Sequence, residues 1–226
     1  MKYEIILLDA DGTLFDYHKA EAYALEATYK YFQIPFHLEE LKKYREINEQ
    51  IWLDYEQGKI DNLSLRTVRF ARLFAGRKRK IDLEHFSKVY LDFLGEAGFI
   101  LRGAEEVCWY LSAKYRLVIV TNGITEVQQK RLQNSPLKKF IYAMVTSEEA
   151  GCSKPNPKIF AYTFKKIAYT NKEKALMVGD SLTSDMQGGH NFGIDTCWYN
   201  PRGQSNDSGL QPKYEIRRLE ELQAIL

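Results

Sequence analysis

The chain has 226 residues, 45% of them apolar, and its 32 basic and 30 acidic side chains leave a net charge of +2. That length can bury a sizeable core in one large domain or two moderate ones, and the near balance of charge excludes the basic face that a nucleic-acid polymer would require. No stretch approaches the roughly 20 apolar residues of a membrane span, and three scattered cysteines without C-x-x-C spacing (Cys108, Cys152, Cys197) exclude a disulfide framework or thiolate zinc site and point to a reducing, cytoplasmic setting.

Residues 4–8 read as a first strand, closed by Asp9-Ala10-Asp11-Gly12-Thr13. Asp9 interrupts the apolar run too early for a secretory signal. Residues 17–99 read as helix throughout. Ala20, Tyr23, Ala24, Ala27 and Tyr31 share one helical stripe, and Leu41, Tyr44, Ile47 and Ile51 another. Pro35 and the stretch 58–62 separate these helices, and two more are expected at 63–73 and 83–94. Between those two, the Arg77-Lys78-Arg79-Lys80 run reads as a solvated turn.

From residue 100 the pattern alternates. Helices are expected at 103–114, 125–133, 157–168 and 184–191, with strands at 117–120, 142–146, 175–178 and 194–198. Residues 200–212, rich in Asn, Pro, Gly, Ser and Gln, read as a surface loop. Alternation of this kind implies right-handed crossovers and a parallel sheet. The fold expected is therefore α/β, a Rossmann-like parallel sheet with a helical cap domain inserted after the first strand. Residues 1–16 and 100–226 would form the core and 17–99 the cap, placed as a lid over the crevice.

Four polar clusters follow strand-like runs or the loops joining them. They are Asp9 to Thr13, Thr121-Asn122-Gly123, Ser153-Lys154-Pro155, and Gly179-Asp180-Ser181 with Asp185 beyond. Residues just past the carboxyl ends of parallel strands line the ligand crevice of such sheets. Asp9 is the candidate nucleophile. A carboxylate approaching a phosphate meets a repulsion of roughly 4 kcal/mol at 4 Å and an effective dielectric near 20. Left uncompensated, that repulsion would slow attack by about a thousandfold. Lys154 is the protein cation that offsets it, and Mg²⁺ the second.

Asp9 and Asp180 offer hard oxygens to the ion, with Asp185 ligating it or orienting a bound water, and Asp11 completes the acidic set. Asp11 also suits the acid that protonates a leaving alcohol and then, as base, activates water. Thr121 would bind phosphate through its hydroxyl, and Asn122 through backbone N–H groups. Taken singly, these clusters are ordinary turns and helix caps; their joint, ordered occurrence is what carries the reading. A calcium loop starting at Asp9 would need Glu where Ala20 stands, and no G-x-x-x-x-G-K-[ST] is present. His18, His37, His85 and His190 share no spacing.

The ordered set resembles the haloacid dehalogenase-like (HAD) superfamily of phosphohydrolases along the whole chain. That resemblance implies Asp9 as nucleophile, Asp11 as acid/base, Thr121 and Lys154 as phosphate ligands, and Asp180 with Asp185 as the acidic metal pair. It also implies a C1-type helical cap. True dehalogenases of the superfamily lack an aspartate two positions after the nucleophile, so Asp11 argues for phosphate chemistry. Within the cap, NEQIWLDYEQGKI at 48–60 followed by Arg69-Phe70 resembles bacterial pyrimidine 5′-nucleotidases. So do TNGITEVQQKRL, SEEAGCSKPNPKIF and MVGDSLTSDMQGGHNFGIDTCWYN in the core. The expected activity is a Mg²⁺-dependent nucleoside 5′-monophosphatase favouring pyrimidines. The alternatives are a phosphatase of a small sugar phosphate or phosphoglycolate, a phosphomutase, and a non-catalytic protein keeping the fold. Trp52, Tyr55 and Phe70 stand at helical spacing, where aromatics more often pack a lid than stack on a base.

Overall fold

The first apolar run becomes an interior strand of a six-stranded sheet. The computed structural model describes residues 2–56, 58–77 and 80–226. Its strands are β1 (Ile5–Leu8), β2 (Arg116–Thr121), β3 (Ile141–Thr146), β4 (Ala175–Gly179), β5 (Asp195–Tyr199) and β6 (Tyr214–Ile216). They lie in the order β3-β2-β1-β4-β5-β6, every pair parallel. The order runs outward in both directions from β1 and β4, so a topological switch point falls between those two strands.

The helices, in chain order, are α1 (Tyr17–Tyr31), α2 (Leu38–Glu56), α3 (Asn62–Leu73), α4 (Leu83–Glu96), α5 (Ala104–Ser112), α6 (Thr125–Gln133), α7 (Ser147–Ala150), α8 (Pro157–Lys166), α9 (Gln187–Phe192) and α10 (Leu222–Ile225). The chain divides into two compact units, one of Met1–Tyr17 with Gly98–Leu226 and the other of His18–Ala97. No helix among the described residues is long and apolar enough to cross a membrane.

In the sheet unit, successive strand residues face opposite sides. Ile6, Leu8, Leu117, Ile119, Leu176 and Val178 join Ala104, Val107, Cys108 and Leu111 of α5 and Leu222 of α10 in one core. Ile5, Leu7, Val118, Val120, Ala175 and Met177 meet Ile159, Phe160 and Phe164 of α8 and Phe192 of α9 in the other. Burial on both faces explains why these strands read as continuous apolar runs. Each fully buried Leu, Ile or Val contributes roughly 1.5–3 kcal/mol.

The helical unit, spanning His18–Ala97, is packed around rings. Phe86 touches Phe70 at 5.0 Å and Phe74 at 4.9 Å between centroids, and Tyr44 stacks on Phe70 at 5.7 Å. Asp61 and Asp82 cap α3 and α4 by accepting backbone N–H groups of Ser64, and of Glu84 and His85. Phe70 is thus core packing of this unit.

The expected α1 stripe is displaced. Ala20 and Ala24 are buried, but Tyr23 and Tyr31 are 41% and 57% exposed, and Glu21, Leu25, Thr28 and Tyr29 turn inward. Glu21 can do so because Arg45 Nε and Asn48 Nδ2 donate to its carboxylate at 2.8 and 3.2 Å. Arg77 pairs with Glu40 rather than standing in solvent, and Lys80 is exposed. Lys78 and Arg79 of that basic run, and Gln57 of the 48–60 segment, lie outside the described residues.

Cys108 and Cys197 are buried, and burial pushes both thiols up to about 12. Cys152 is only half-buried. A neutral thiol reagent is therefore expected to modify Cys152 first in the native protein and all three after denaturation. Equal native rates for the three would contradict this packing.

Candidate active site

Strand register brings the ends of β1, β2 and β4 together. Leu8 pairs with Ile119 of β2 and Val178 of β4, so Asp9 emerges between the carboxyl ends of those strands, beside the switch point. Its N–H donates to the Val178 carbonyl at 2.9 Å. The chain then turns tightly: Leu14 and Phe15 N–H both return to the Ala10 carbonyl, at 2.9 and 2.8 Å. Gly12, with φ +86°, makes that turn, and a Cβ on it would stand 2.4 Å from Asp180 Oδ2. Only glycine admits the Asp180 carboxylate here.

Asp180 follows β4 directly, and Trp198 Nε1 holds its carbonyl at 2.9 Å. Asp185 is brought back by a single π-turn, Leu182–Met186, in which Met186 N–H reaches the Ser181 carbonyl at 3.1 Å. Such turns are rare and concentrate at functional sites. One oxygen each of Asp9, Asp180 and Asp185 lies within 4.8 Å of the others.

Lys154 ties this cluster together. Its Nζ donates to Asp9 Oδ1 at 2.5 Å, Asp185 Oδ1 at 2.6 Å and the Val120 carbonyl at 2.7 Å, so all three protons are used. Burial alone would lower the ammonium's pKa, but the Asp185 and Asp9 carboxylates outweigh it and raise it. Asn122 braces the loop that carries Lys154: its side chain accepts from Lys154 N–H at 2.8 Å and donates to Lys154 C=O at 3.0 Å. Its carboxamide is engaged with backbone. The buried Thr121 hydroxyl accepts from Gly123 N–H at 3.0 Å.

Asp11 is not one of those three acids, though it lies near enough to help raise the pKa of Asp180. Gln128 Nε2 donates to its Oδ2 at 2.5 Å, and Arg131 Nη1 pairs with its Oδ1. The sequence assigned no role to Gln128 and Arg131, nor to Thr13 of the first polar cluster, whose hydroxyl donates to Asp180 Oδ1 at 3.4 Å. The one available signal was the i,i+3 spacing of Gln128 and Arg131 on α6.

The acids are held at an electrostatic cost. Burial drives Asp9 well above the usual carboxylate range against the pull of Lys154, with Asp185 and Asp180 adding to the rise. Burial and the Asp185 carboxylate push Asp180 up to about 7. Three converging carboxylates share one lysine, a donor set of hard oxygens with excess negative charge. That set fits Mg²⁺, with Asp9, Asp180 and Asp185 as the residues to hold it.

The sequence profile of haloacid dehalogenase-like hydrolases matches residues 3–193, and the chain belongs to that family. It is an enzyme of the hydrolase class. It is 36% identical to HAD-hydrolase YfnB of Bacillus subtilis, over all of this chain and 96% of that protein. The crystal structure of YfnB bound to magnesium superposes with a TM-score of 0.93 over 100% of this chain and 99% of that one. The pyrimidine 5′-nucleotidases PynA of Streptococcus pneumoniae and YjjG of Escherichia coli are 36% and 30% identical. Those matches cover 98% and 100% of this chain and 94% and 99% of theirs.

Proposed function

We propose that this enzyme is a Mg²⁺-dependent phosphomonoesterase acting through Asp9, and that its substrates are nucleoside 5′-monophosphates, pyrimidine nucleotides foremost. The observation that carries the chemistry is Asp9 itself. Its carboxylate stands at the switch point, 2.5 Å from Lys154 Nζ and within the three-acid cluster.

An Asp9 oxygen attacks phosphorus, the P–O ester bond breaks, and Asp11 gives its proton to the departing alcohol oxygen. Water then attacks phosphorus and yields a proton to Asp11; the bond between phosphorus and Asp9 breaks, and both aspartates return to their starting state. Lys154 offsets the charge of Asp9 during attack. Thr121 and the N–H groups of its loop receive the phosphate oxygens. Asp9, Asp180 and Asp185 would hold a magnesium ion, which would supply further positive charge to offset that of the phosphate.

The substrate class rests on the full-length likeness to two pyrimidine 5′-nucleotidases. It also rests on the helical unit's 48–60 segment, where Trp52 and Tyr55 are half-buried, edge to face at 5.8 Å. A flat base stacked on an aromatic side chain gains roughly 1–3 kcal/mol, which a sugar phosphate forgoes. UMP or dTMP is therefore expected to show a kcat/KM at least about tenfold above glucose 6-phosphate or phosphoglycolate, equivalent to about 1.4 kcal/mol. A substrate panel with Mg²⁺ decides. Phosphoglycolate outrunning every nucleotide would remove the nucleotidase reading and leave the phosphatase chemistry. Equal rates for AMP and UMP would remove only the preference for pyrimidines.

A further inference from the structure

We propose that Arg131 and Gln128 of α6 are positioning residues that hold the Asp11 carboxylate where it can serve the leaving group; this rests on the phosphatase reading above. The two side chains take one oxygen each: Gln128 Nε2 on Oδ2 at 2.5 Å, Arg131 Nη1 on Oδ1. Two donors on two oxygens fix the plane of the carboxyl group as well as its place, and each oxygen keeps a second lone pair, where Asp11 carries the proton it gives to the leaving oxygen and later takes back from water. Protein acids and bases need such fixing, because proton transfer depends steeply on distance and direction.

The clamp is itself rigid. The Arg131 side chain is wholly buried while that of Asp11 is 28% exposed. Its guanidinium lies 4.7 Å from the centre of the Phe15 ring, and the Phe15 carbonyl closes the same turn by accepting Gly12 N–H at 3.0 Å. One buried cation thus packs against the residue that ends the turn and pairs with the acid near its start. Gln128, also buried, reaches Asp11 across Gly123, where a Cβ would stand 2.2 Å from its Nε2. Glycine at 123 therefore opens the path that lets α6 grip the first strand's loop.

Burying an arginine completely for a partner that remains partly in water is a poor route to stability, since the desolvation of the cation is not returned in full. Holding a reacting carboxylate gives the arrangement a use. Asp11 serves the leaving oxygen and Asp9 the phosphorus, so loss of the clamp should separate esters by their need for protonation.

The test uses Arg131→Met and Gln128→Met, with Arg131→Lys as the charge-retaining variant. Each is assayed with Mg²⁺ by single-turnover phosphorylation on dTMP and on p-nitrophenyl phosphate, whose leaving group departs with little protonation. Arg131→Met is expected to slow dTMP at least about thirtyfold and p-nitrophenyl phosphate no more than about threefold, with KM little changed. Gln128→Met should move the ratio the same way by a smaller factor, and Arg131→Lys should recover part of the dTMP rate. If Arg131→Met fails to fold, Gln128→Met decides alone. Parallel losses on both esters, or no loss on either, would overturn the clamp while leaving the phosphatase reading intact. Wild-type enzyme that hydrolyses neither ester with Mg²⁺ would overturn the phosphatase reading, and the clamp with it.

Discussion

Asp9→Asn is expected to lower kcat by at least about a thousandfold while leaving the protein folded. Asparagine keeps the shape of the side chain and loses the oxygen anion that attacks phosphorus. Lys154 retains its bonds to the Val120 carbonyl and Asp185, so the buried ammonium is not stranded. Steady-state turnover with saturating Mg²⁺, together with a thermal melt, checks both halves of the statement. Activity within tenfold of wild type would contradict the assignment of Asp9.

The second large effect concerns Asp180, and its readout is stability rather than rate. Burial and the Asp185 carboxylate hold its pKa near 7, above the ordinary 3.8. A carboxyl group raised in the folded state contributes stability that is complete below the unfolded value and is lost as pH rises through the folded one. Metal-free wild type should therefore lose stability from about pH 4 to about pH 7 and little beyond that. Asp180→Asn should lose less over that window and be the more stable protein at pH 8. Magnesium reverses the ranking: at a hundredfold excess over its Kd it should stabilise wild type by about 2.7 kcal/mol. The variant should gain little and hydrolyse no substrate. Melts in chelator and in Mg²⁺ across that pH range make the comparison. An unchanged magnesium shift in Asp180→Asn would contradict the cation site.

Much of the sheet was legible because its strands are buried on both faces. IILL, LVIV and ALMV admit no polar residue until the strand ends, which places Asp9, Thr121 and Asp180 at one edge. The expected strands and helices agree with the structure to within a few residues. β6 was missed: Tyr-Glu-Ile is three residues long and shows no period. The α1 face was misjudged because alanine and tyrosine lie on one stripe and leucine and tyrosine on the next; the inward turn of Glu21 depends on Arg45 and Asn48, far away in sequence.

The candidate site divides in the same way. Asp9 and Asp180 converge because strand register sets β1 beside β4, and register follows from the apolar runs. Asp185 needs a π-turn that its sequence, Leu-Thr-Ser-Asp-Met, does not announce. Asn122 was expected at the phosphate through its backbone, and its side chain proves to brace Lys154. Gln128 and Arg131 sit in Thr-Glu-Val-Gln-Gln-Lys-Arg-Leu-Gln, which reads as a solvated polar helix. Their burial follows from a tertiary partner, the Asp11 loop, that no local pattern contains.

During turnover a phosphoryl group should be carried covalently on Asp9. Acid quenching during turnover of dTMP with Mg²⁺, followed by proteolysis and mass spectrometry, reads it directly. The expected result is a phosphoryl increment on the peptide that contains Asp9, absent in chelator and absent in Asp9→Asn. Continued phosphate release with no such increment at any quench time, or with the increment on another residue, would contradict it.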